Sequence, residues 1–351
     1  MKKIYYITAV FATLFLVGCG DGIDLPGVNV ETDLNKIPLP DNNVNLEQVE
    51  LKPSTEPMLH EGLHTEEDFQ RIRDKKAAGE EPWISAYQLL VESQFSQKTA
   101  DTYPTEWIKR GVSGDENYMN AARGATIAYQ QALRWKIEQD DEYAAKAVEN
   151  LNKWVQTCVG VTGNTNLSLA AGLYGYEFAI AGELLRDYGG WDRADFAAFQ
   201  NWLLKVFYPA NDDFLKRHHD TNALHYWANW CLCNIAAKMA IGIVTDRRDI
   251  YNEGIAHLQT GDTNGRLRRA IYHDYAPDYN FAQWQESGRD QGHTLMCVGL
   301  MGIICQLAWS QGDDFFAYDD NLFLRACEYA ACCNYTLSLI HISEPTRQEA
   351  I

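Results

Sequence analysis

Residues 221–230, TNALHYWANW, combine polar and aromatic side chains that could bind a sugar ring and transfer a proton. Asn222, His225 and Tyr226 stand at positions i, i+3 and i+4, so an α-helix would place all three on one face. An imidazole or a phenol can act as general base or acid, and an amide can donate a hydrogen bond to an anion. Trp230 adds a flat apolar ring. The segment therefore predicts a carbohydrate site on the first turns of a helix.

Residues 285–293, QESGRDQGH, form a second polar segment beside an apolar stretch. Glu286, Arg289, Asp290 and His293 fall at helical spacing there. Two such segments in one helical chain predict a single site built from the starts of two helices. We expect Arg289 and His293 to face the same cleft as the first segment.

Purely structural roles are the alternative for these side chains. His225 would then be a buried histidine bonded to a carbonyl, and Tyr226 and Trp230 would be ordinary core aromatics. Arg289 would form a structural ion pair with a neighbouring carboxylate.

The net charge of the chain is strongly acidic, at −18 over 351 residues. This excludes nucleic-acid binding as the expected function, because phosphate recognition needs a basic surface. An acidic substrate would need a local basic cleft, which Lys216, Arg217, His218 and His219 could begin beside the first segment. We expect the two histidines to lie in a solvated helix connection and not to bind a metal, because no carboxylate stands at ligand spacing from them.

The composition is that of a globular protein, with 46% hydrophobic residues and enough chain for one large core. Nine cysteines would allow a disulfide framework in an exported protein. Their spacing argues against one, since Cys231 and Cys233 flank a single residue and Cys332 and Cys333 are adjacent. We expect the cysteines to pack as small core residues. One or two disulfides in an oxidising compartment are the alternative.

Residues 1–18 are organised as a secretory signal peptide. Lys2 and Lys3 precede an apolar run that ends in LVGC. This ending resembles a bacterial lipoprotein signal, which would make Cys19 the lipidated first residue of the mature chain; an ordinary cleaved signal is the alternative. Residues 19–58 are expected to be a flexible tether. We therefore expect an exported protein with a lipid anchor in the bacterial outer membrane, on the periplasmic side or at the cell surface.

The far end of the chain has an unusual sequence. Residues 337–347, LSLIHISEPTR, are similar to the translation of a transposase sequencing adapter. We therefore expect residues 337–351 to be a non-native tail and the domain over residues 59–336 to be truncated. A genuine polar tail is the alternative.

Hydrophobic residues recur at helical spacing from residue 65 onward, and few strands are apparent. After a first helix near residue 65, the helices expected from caps and from Gly and Pro signals are 120–139, 141–158, 169–188, 193–207, 222–243, 291–311 and 321–334. Sequential helices with short connections predict an all-α fold of antiparallel helix pairs. Such an array can curve into an α/α toroid, although periodicity alone does not predict the ring.

Three segments taken in order, GNTNLSLAAGLYGYEFAIAGELLR, HYWANWCLCNIAA and QWQESGRDQGHT, carry a family resemblance. They resemble the bacterial alginate lyase-like polysaccharide lyases, and more narrowly the family that holds glucuronan- and alginate-cleaving members. The resemblance covers about residues 59–336. It implies an α/α toroid, incomplete here because family chains continue further, a uronic-acid polymer as substrate, and β-elimination without an obligatory cofactor.

β-Elimination removes the C5 proton of a uronate and expels the C4 oxygen. The enzyme must therefore neutralise the carboxylate and supply a base and an acid. The expected catalytic residues are Asn222, Arg289 and His293 as neutralisers, His225 as base or neutraliser, and Tyr275 as a phenolic acid or base. The expected sugar-binding residues are Tyr226, Trp230, Tyr279, Trp284, Gln285 and Glu286. Tyr275 and Tyr279 lie in a stretch with little regular pattern, which predicts a loop.

Two other functional classes fit the same residues. A non-catalytic surface glycan-binding lipoprotein would use the aromatic rings without needing His225 or Arg289. An α/α-toroid glycoside hydrolase would need two opposed carboxylates in the cleft, for which Glu177, Glu183 and Glu286 are the candidates.

Overall fold

The computed structural model describes residues 54–277 and 279–341, with side chains described through Asn334. The expected signal peptide, Cys19, most of the tether and residues 342–351 lie outside the described residues. Within them the fold is mainly helical, as the sequence predicts. The helices are α1 Glu66–Ala77, α2 Trp83–Glu92, α3 Tyr118–Glu138, α4 Asp141–Thr157, α5 Leu167–Leu184, α6 Arg193–Val206, α7 Tyr208–Arg217, α8 Ala228–Val244, α9 Arg248–Thr260, α10 Leu267–Ala270, α11 Gln291–Ser310 and α12 Tyr318–His341.

Four long helices, α3, α5, α8 and α11, pack against one another in sequence order. A second row follows them: α4 packs on α3, α6 and α7 on α5, α9 on α8, and α12 on α11. Helix α8 is the centre of the first row, and all its residues except Trp230 are buried. A helix that is apolar on all sides belongs inside the core.

Close packing between α5 and α8 depends on a glycine. A Cβ atom at Gly172 would lie 2.5 Å from Sγ of Cys233, so a larger residue would push the helices apart. Buried amides complete the interface: Asn234 Nδ2 donates to the carbonyl of Ser168 at 3.2 Å, and Asn211 Nδ2 donates to Oδ1 of Asn234 at 2.7 Å. These hydrogen bonds satisfy polar groups that burial would otherwise penalise, and they fix α5, α7 and α8 relative to one another.

Two small sheets lie at helix starts. Strand β1, Trp107–Arg110, pairs in parallel with β2, Gly160–Gly163. Because β1 leads into α3 and β2 leads into α5, this pairing brings the starts of the two helices together. Strand β3, Ile271–Asp274, pairs antiparallel with β4, Ala282–Trp284, which leads through a 3₁₀ turn into α11.

The first polar segment does not fold as a helix, so this prediction is wrong. Residues 222–227 form turns, and α8 begins only at Ala228. Oδ1 of Asn222 accepts the N–H of Leu224 at 2.8 Å. Such a side-chain bond to the nearby backbone competes with the helical conformation.

Helices α2, α7 and α9 and the short α10 are absent from the sequence prediction. Pro209 follows the predicted helix 193–207, where a proline is a helix-stop signal, but it lies in the first turn of α7. Proline is tolerated there, because the first N–H groups of a helix have no partner within the helix. For the other predicted helices, most of the predicted ends lie within a few residues of the observed ends.

The tether predicted through residue 58 is too long. Asn252 Nδ2, on α9, donates to the carbonyl of Ser54 at 2.9 Å. Arg248, on the same helix, donates to the carbonyls of Glu56 and Pro57 at 2.8 and 2.9 Å. The folded domain therefore includes residues that the composition assigns to the tether.

The end of the described chain lies in α12, which continues through residue 336 to His341. The foreign origin of residues 337–351 stays a prediction. Six cysteines of the described part are buried, as expected for small core residues: Cys158, Cys231, Cys233, Cys297, Cys305 and Cys332. By length and composition α11 could cross a membrane, but its most apolar window is 61% buried within the protein, as is typical of a core helix.

Candidate functional site

The starts of α3, α5, α8 and α11 lie along one edge of the fold, and contacts join each start to the next. A Cβ atom at Gly111, before α3, would nearly coincide with the side chain of Asn164, before α5. Ser168, in the first turn of α5, has its Oγ 2.9 Å from Nε2 of His219 before α8. Gln285, before α11, accepts the N–H of Ala228 at 2.9 Å. Helix starts carry a positive partial charge, so this edge favours anionic ligands.

The turn before α8 is held by a residue that sequence reasoning missed. Nδ2 of Asn264 donates to the carbonyls of Leu224 and Tyr226, at 3.1 and 2.8 Å. Within the turn, the N–H of His225 donates to the carbonyl of Asn222 at 2.9 Å. The Gly and Asp around Asn264 mark a turn in the sequence, but no sequence signal connects that turn to residue 226.

Tyr226 is the aromatic centre of this turn, and its side chain is nearly buried. Its ring lies 4.7 Å from that of Trp230, 5.1 Å from Phe214 and 4.9 Å from His225, measured between centroids. His225 meets the ring edge to face and is itself exposed, as is Asn222. The interpretation of His225 as a core histidine is therefore wrong.

The second polar segment caps α8. Oε1 of Glu286 accepts the N–H of Asn229 at 3.2 Å, next to the bond that Gln285 accepts from Ala228. Glu286 is fully buried, and this burial raises the pKa of its carboxyl. The prediction that Glu286 binds sugar is wrong for this structure, because the side chain is fully buried, with Oε1 bonded to the start of α8 and Oε2 facing Arg289. Gln285 is only half-buried and stays a candidate.

Arg289 connects the two polar segments. Its guanidinium lies over the ring of Trp227, 5.3 Å from the centroid, and its Nη1 lies 3.4 Å from Oε2 of Glu286. Asp290 is the N-cap of α11 and places its Oδ2 2.6 Å from Nδ1 of His293. The structure thus brings the segments together, although Arg289 precedes α11 and is not on a common helical face with His293.

The β3–β4 connection holds the remaining predicted residues. The hydroxyl of Tyr275 donates to Oε1 of Gln283 at 2.7 Å, and burial raises the pKa of Tyr275 to about 12. Tyr279 lies in the loop, as expected, and its backbone N–H donates a hydrogen bond to the carbonyl of Tyr275. Trp284 is fully buried, and its Nε1 donates to the carbonyl of Ala326 at 3.0 Å. The prediction that Trp284 binds sugar is therefore wrong, since the indole belongs to the core.

The expected basic cleft at residues 216–219 does not form. Lys216 pairs with Asp212 at 2.8 Å and Arg217 pairs with Asp213 at 2.6 Å, both within α7. The expectation of a solvated histidine pair is also wrong. His218 is buried, and His219 bonds Ser168 in a partly buried position that lowers its pKa.

The carboxylates that a hydrolase would need are not opposed across this edge. Glu183 is buried in an ion pair with Arg186 at 2.8 Å. Glu286 caps α8. Glu177 lies in α5, and burial raises its pKa to about 8. Among the described residues, no group of three or more His, Cys, Asp and Glu side chains could hold a metal ion.

Comparisons with known proteins agree with this architecture. A family model described as alginate lyase matches residues 72–333. A Tyr-to-Phe variant of alginate lyase A1-III complexed with a tetrasaccharide is 15% identical, with a TM-score of 0.57, and the match covers 84% of each chain. Alginate lyase A1-III from Sphingomonas species A1 is 14% identical, with a TM-score of 0.57 over 84% of this chain and 85% of that one.

An alginate lyase from Bacteroides ovatus is also similar, at 14% identity and a TM-score of 0.56 over 78% of this chain and 83% of that one. No curated protein sequence matches the chain closely enough to count as a relative. The structural matches confirm the predicted fold, an α/α toroid of antiparallel helix pairs.

Proposed function

The chain belongs to the alginate lyase family and is a polysaccharide lyase, and from this premise we propose that it cleaves a β-1,4-linked uronic-acid polymer, alginate or glucuronan, by β-elimination. The observation that carries the proposal is the edge of four helix starts, where the exposed His225 lies against Tyr226 and Arg289 lies over Trp227. This part of the edge therefore offers an imidazole and a guanidinium cation. The helix starts beside them carry a positive partial charge, which favours an anionic ligand.

Each step of the reaction has a candidate on this edge. The uronate carboxylate must be neutralised before C5 loses its proton, and Arg289, Asn222 and His293 are the donors suited to it. His225 is exposed and free to approach the C5 proton as base. A tyrosine hydroxyl then returns a proton to the C4 oxygen as the glycosidic bond breaks. Tyr226 and Tyr275 are the candidate phenols for this step.

An absorbance assay tests the proposal. β-Elimination leaves a C4–C5 double bond conjugated to the carboxylate, so the product absorbs in the short ultraviolet. The purified protein should be given three polymers in separate assays: an alginate rich in mannuronate, an alginate rich in guluronate, and a glucuronan. We expect an absorbance increase on at least one of them, and no increase on a neutral β-1,4-glucan.

The alternatives give different results in the same assay. A hydrolase releases reducing ends without the absorbance increase. A glycan-binding lipoprotein retains the polymer in affinity electrophoresis and releases neither product. Either result would contradict the proposed elimination.

Export and lipid anchoring complete the proposal. The support is the sequence of residues 1–19, with its basic start, apolar run and LVGC ending. In a bacterial host, radiolabelled palmitate should label the wild-type protein and not a Cys19→Ala variant. Equal labelling of both would contradict the lipoprotein assignment.

A further inference from the structure

One buried amide holds the backbone on both sides of His225. Asn264 lies in the loop between α9 and α10, and its Nδ2 donates to the carbonyls of Leu224 and Tyr226 at 3.1 and 2.8 Å. The N–H of His225 in turn donates to the carbonyl of Asn222 at 2.9 Å. The peptide group that enters His225 is therefore bonded at both its C=O and its N–H, and the C=O of the next residue is bonded as well. These bonds restrict the backbone rotations that set the direction of the His225 side chain.

The imidazole of His225 depends on this backbone for its direction. The side chain is exposed, and its ring meets that of Tyr226 edge to face at 4.9 Å. A general base must lie within hydrogen-bond reach of the proton that it removes. A displacement of about 1 Å in a reacting group can lower the rate about 100-fold. The bonds that fix the turn therefore bear on turnover and not only on stability.

The loop that carries Asn264 is itself fixed on two sides. The N–H of Gly265 donates to Oγ1 of Thr263 at 3.1 Å, and the same Oγ1 lies 2.6 Å from Nε2 of His257 on α9. Burial lowers the pKa of His257 to about 4, so at neutral pH the ring is uncharged and Nε2 can accept the hydroxyl proton. A Cβ atom at Gly265 would lie 2.5 Å from Cβ of Cys231, so the loop backbone lies directly on α8. The Asn264 amide thus has a fixed position relative to the helix that follows the turn.

We propose that Asn264 is a positioning residue for the elimination, which keeps the imidazole of His225 directed at the C5 proton by holding the carbonyls on either side of it. The inference rests on the proposed function. The competing explanation is that Asn264 only stabilises the fold, as other buried amides do. Asn150 on α4 is such an amide and is the matched control, because it is fully buried and its Nδ2 donates to the carbonyl of Gly124 at 2.7 Å.

Steady-state kinetics and thermal unfolding of the same variants separate the two explanations. In Asn264→Ala we expect kcat on a uronan to fall about 10- to 100-fold with KM within about twofold of wild type, because a misdirected base slows the chemical step and leaves the substrate contacts in place. Asn150→Ala should lower the melting temperature and keep the wild-type kcat. A wild-type kcat in Asn264→Ala, or a loss that lies wholly in KM, would overturn the proposal.

A double variant asks whether Asn264 acts through His225. Substitutions that affect the same step are not additive. The double variant His225→Ala/Asn264→Ala should therefore turn over no more slowly than His225→Ala alone. If Asn264→Ala lowers kcat in that background by the same factor as in the wild type, its effect is independent of His225 and the proposal is wrong.

The nuclear magnetic resonance signal of the His225 ring gives a readout that does not need turnover. It is assigned by its loss in His225→Ala. In Asn264→Ala the signal should shift or broaden, since the ring samples other directions, whereas in Asn150→Ala it should stay as in the wild type. An unchanged signal in Asn264→Ala would contradict the positioning role.

Thr263 supplies a second pair of variants, which decides the question if Asn264→Ala does not melt cooperatively. Thr263→Val keeps the shape of a fully buried side chain and removes the hydroxyl that joins the loop to His257. Its kcat should fall while its KM stays near that of the wild type, and Thr263→Ser, which keeps the hydroxyl, should retain most of the activity. A wild-type kcat in both Thr263 variants would overturn the proposal.

The wild-type protein distinguishes a failure of this inference from a failure of the proposed function. If the wild type cleaves a uronan and the Asn264 and Thr263 variants cleave it equally fast, the positioning role is wrong and the lyase function stands. If the wild type cleaves no uronan, the proposed function is wrong and the positioning role falls with it.

Discussion

His225 is the exposed side chain on which the proposed elimination most depends. It lies edge to face against Tyr226 and is itself exposed, so few contacts depend on its ring. In His225→Ala we therefore expect lyase turnover to fall by about 100-fold or more, the usual loss when a general base is removed, with an unchanged melting temperature. The measurement pairs ultraviolet turnover with thermal unfolding.

Leu224→Ala is the control for His225, because Leu224 is exposed in the same turn and has no proton to exchange. It should retain most of the wild-type activity. A well-folded His225→Ala protein with wild-type kcat would remove His225 from the mechanism.

The sequence shows which residue types could do chemistry, but it does not show how deeply each side chain is buried or what it contacts. His225, Arg289 and His293 lie in the two polar segments, which the structure joins through the contact of Arg289 with Trp227. Their roles in catalysis stay a prediction. Trp284 and Glu286 have equally suggestive types and neighbours, yet both are fully buried. Their burial depends on contacts with α12 and α8, which are distant in the sequence.

Glu177 links a single side chain to the pH dependence of stability. Its Oε2 is enclosed without a hydrogen-bond partner, and burial raises its pKa from 4.5 to about 8. Below pH 4.5 the carboxyl is protonated in both the folded and the unfolded chain. As the pH rises from there to about 8, only the unfolded chain releases the proton, so the free energy of unfolding falls by about 1.4 kcal/mol per pH unit.

In Glu177→Gln this loss should disappear. We expect the variant to gain stability relative to wild type as the pH rises from about 5 to about 8, measured by urea unfolding at several pH values. Glu67→Gln, at an exposed position of α1, is the control and should show no such trend. A constant difference between Glu177→Gln and wild type across this range would contradict the raised pKa.

At the scale of elements, periodicity located most helices but not the start of α8. Spacing at i, i+3 and i+4 is compatible with a helix, yet the Asn222 side chain forms a turn that Asn264 supports from a distant loop. Sequence signals were more successful at α11, where Asp290 has the residue type and position of an N-cap and fulfils that role. Caps act locally and can be predicted, whereas a turn held by a remote amide cannot.

The Asp290 cap permits a test with two related variants. Asp290 accepts the N–H of His293 at 2.8 Å through Oδ1. Asp290→Ala should lower the free energy of unfolding by about 1 kcal/mol, while Asp290→Asn should lose much less, because an asparagine side chain also caps a helix. Urea unfolding of both variants measures the difference. Equal losses in the two would mean that the cap does not account for the role of Asp290.

At the scale of the whole molecule, the ring could not be derived from periodicity. Helical spacing predicts helices, but their arrangement in two rows depends on contacts such as Gly172 against Cys233, between residues far apart in the sequence. The toroid was expected only through the family resemblance, and the structural matches confirm it. The same holds for the edge proposed to bind substrate, which exists only because four helix starts lie side by side.

The net charge of the whole molecule opposes the acidic polymer that we propose as its substrate. The net charge of −18 repels a polyanion at long range, whereas Arg289 and the helix starts would attract it at short range. The Debye length shortens from about 30 Å at 0.01 M salt to about 8 Å at 0.15 M, so added salt screens the distant acidic surface more than groups in contact with the substrate. We therefore expect kcat/KM on a long uronan to rise over this range of sodium chloride, mainly through a lower KM.

A uronate trimer is the control for this salt effect and should show a smaller rise in kcat/KM, because it carries few charges beyond the site. A steady fall of kcat/KM with salt on the long polymer would mean that the local attraction of the edge outweighs the repulsion from the rest of the protein even at low ionic strength.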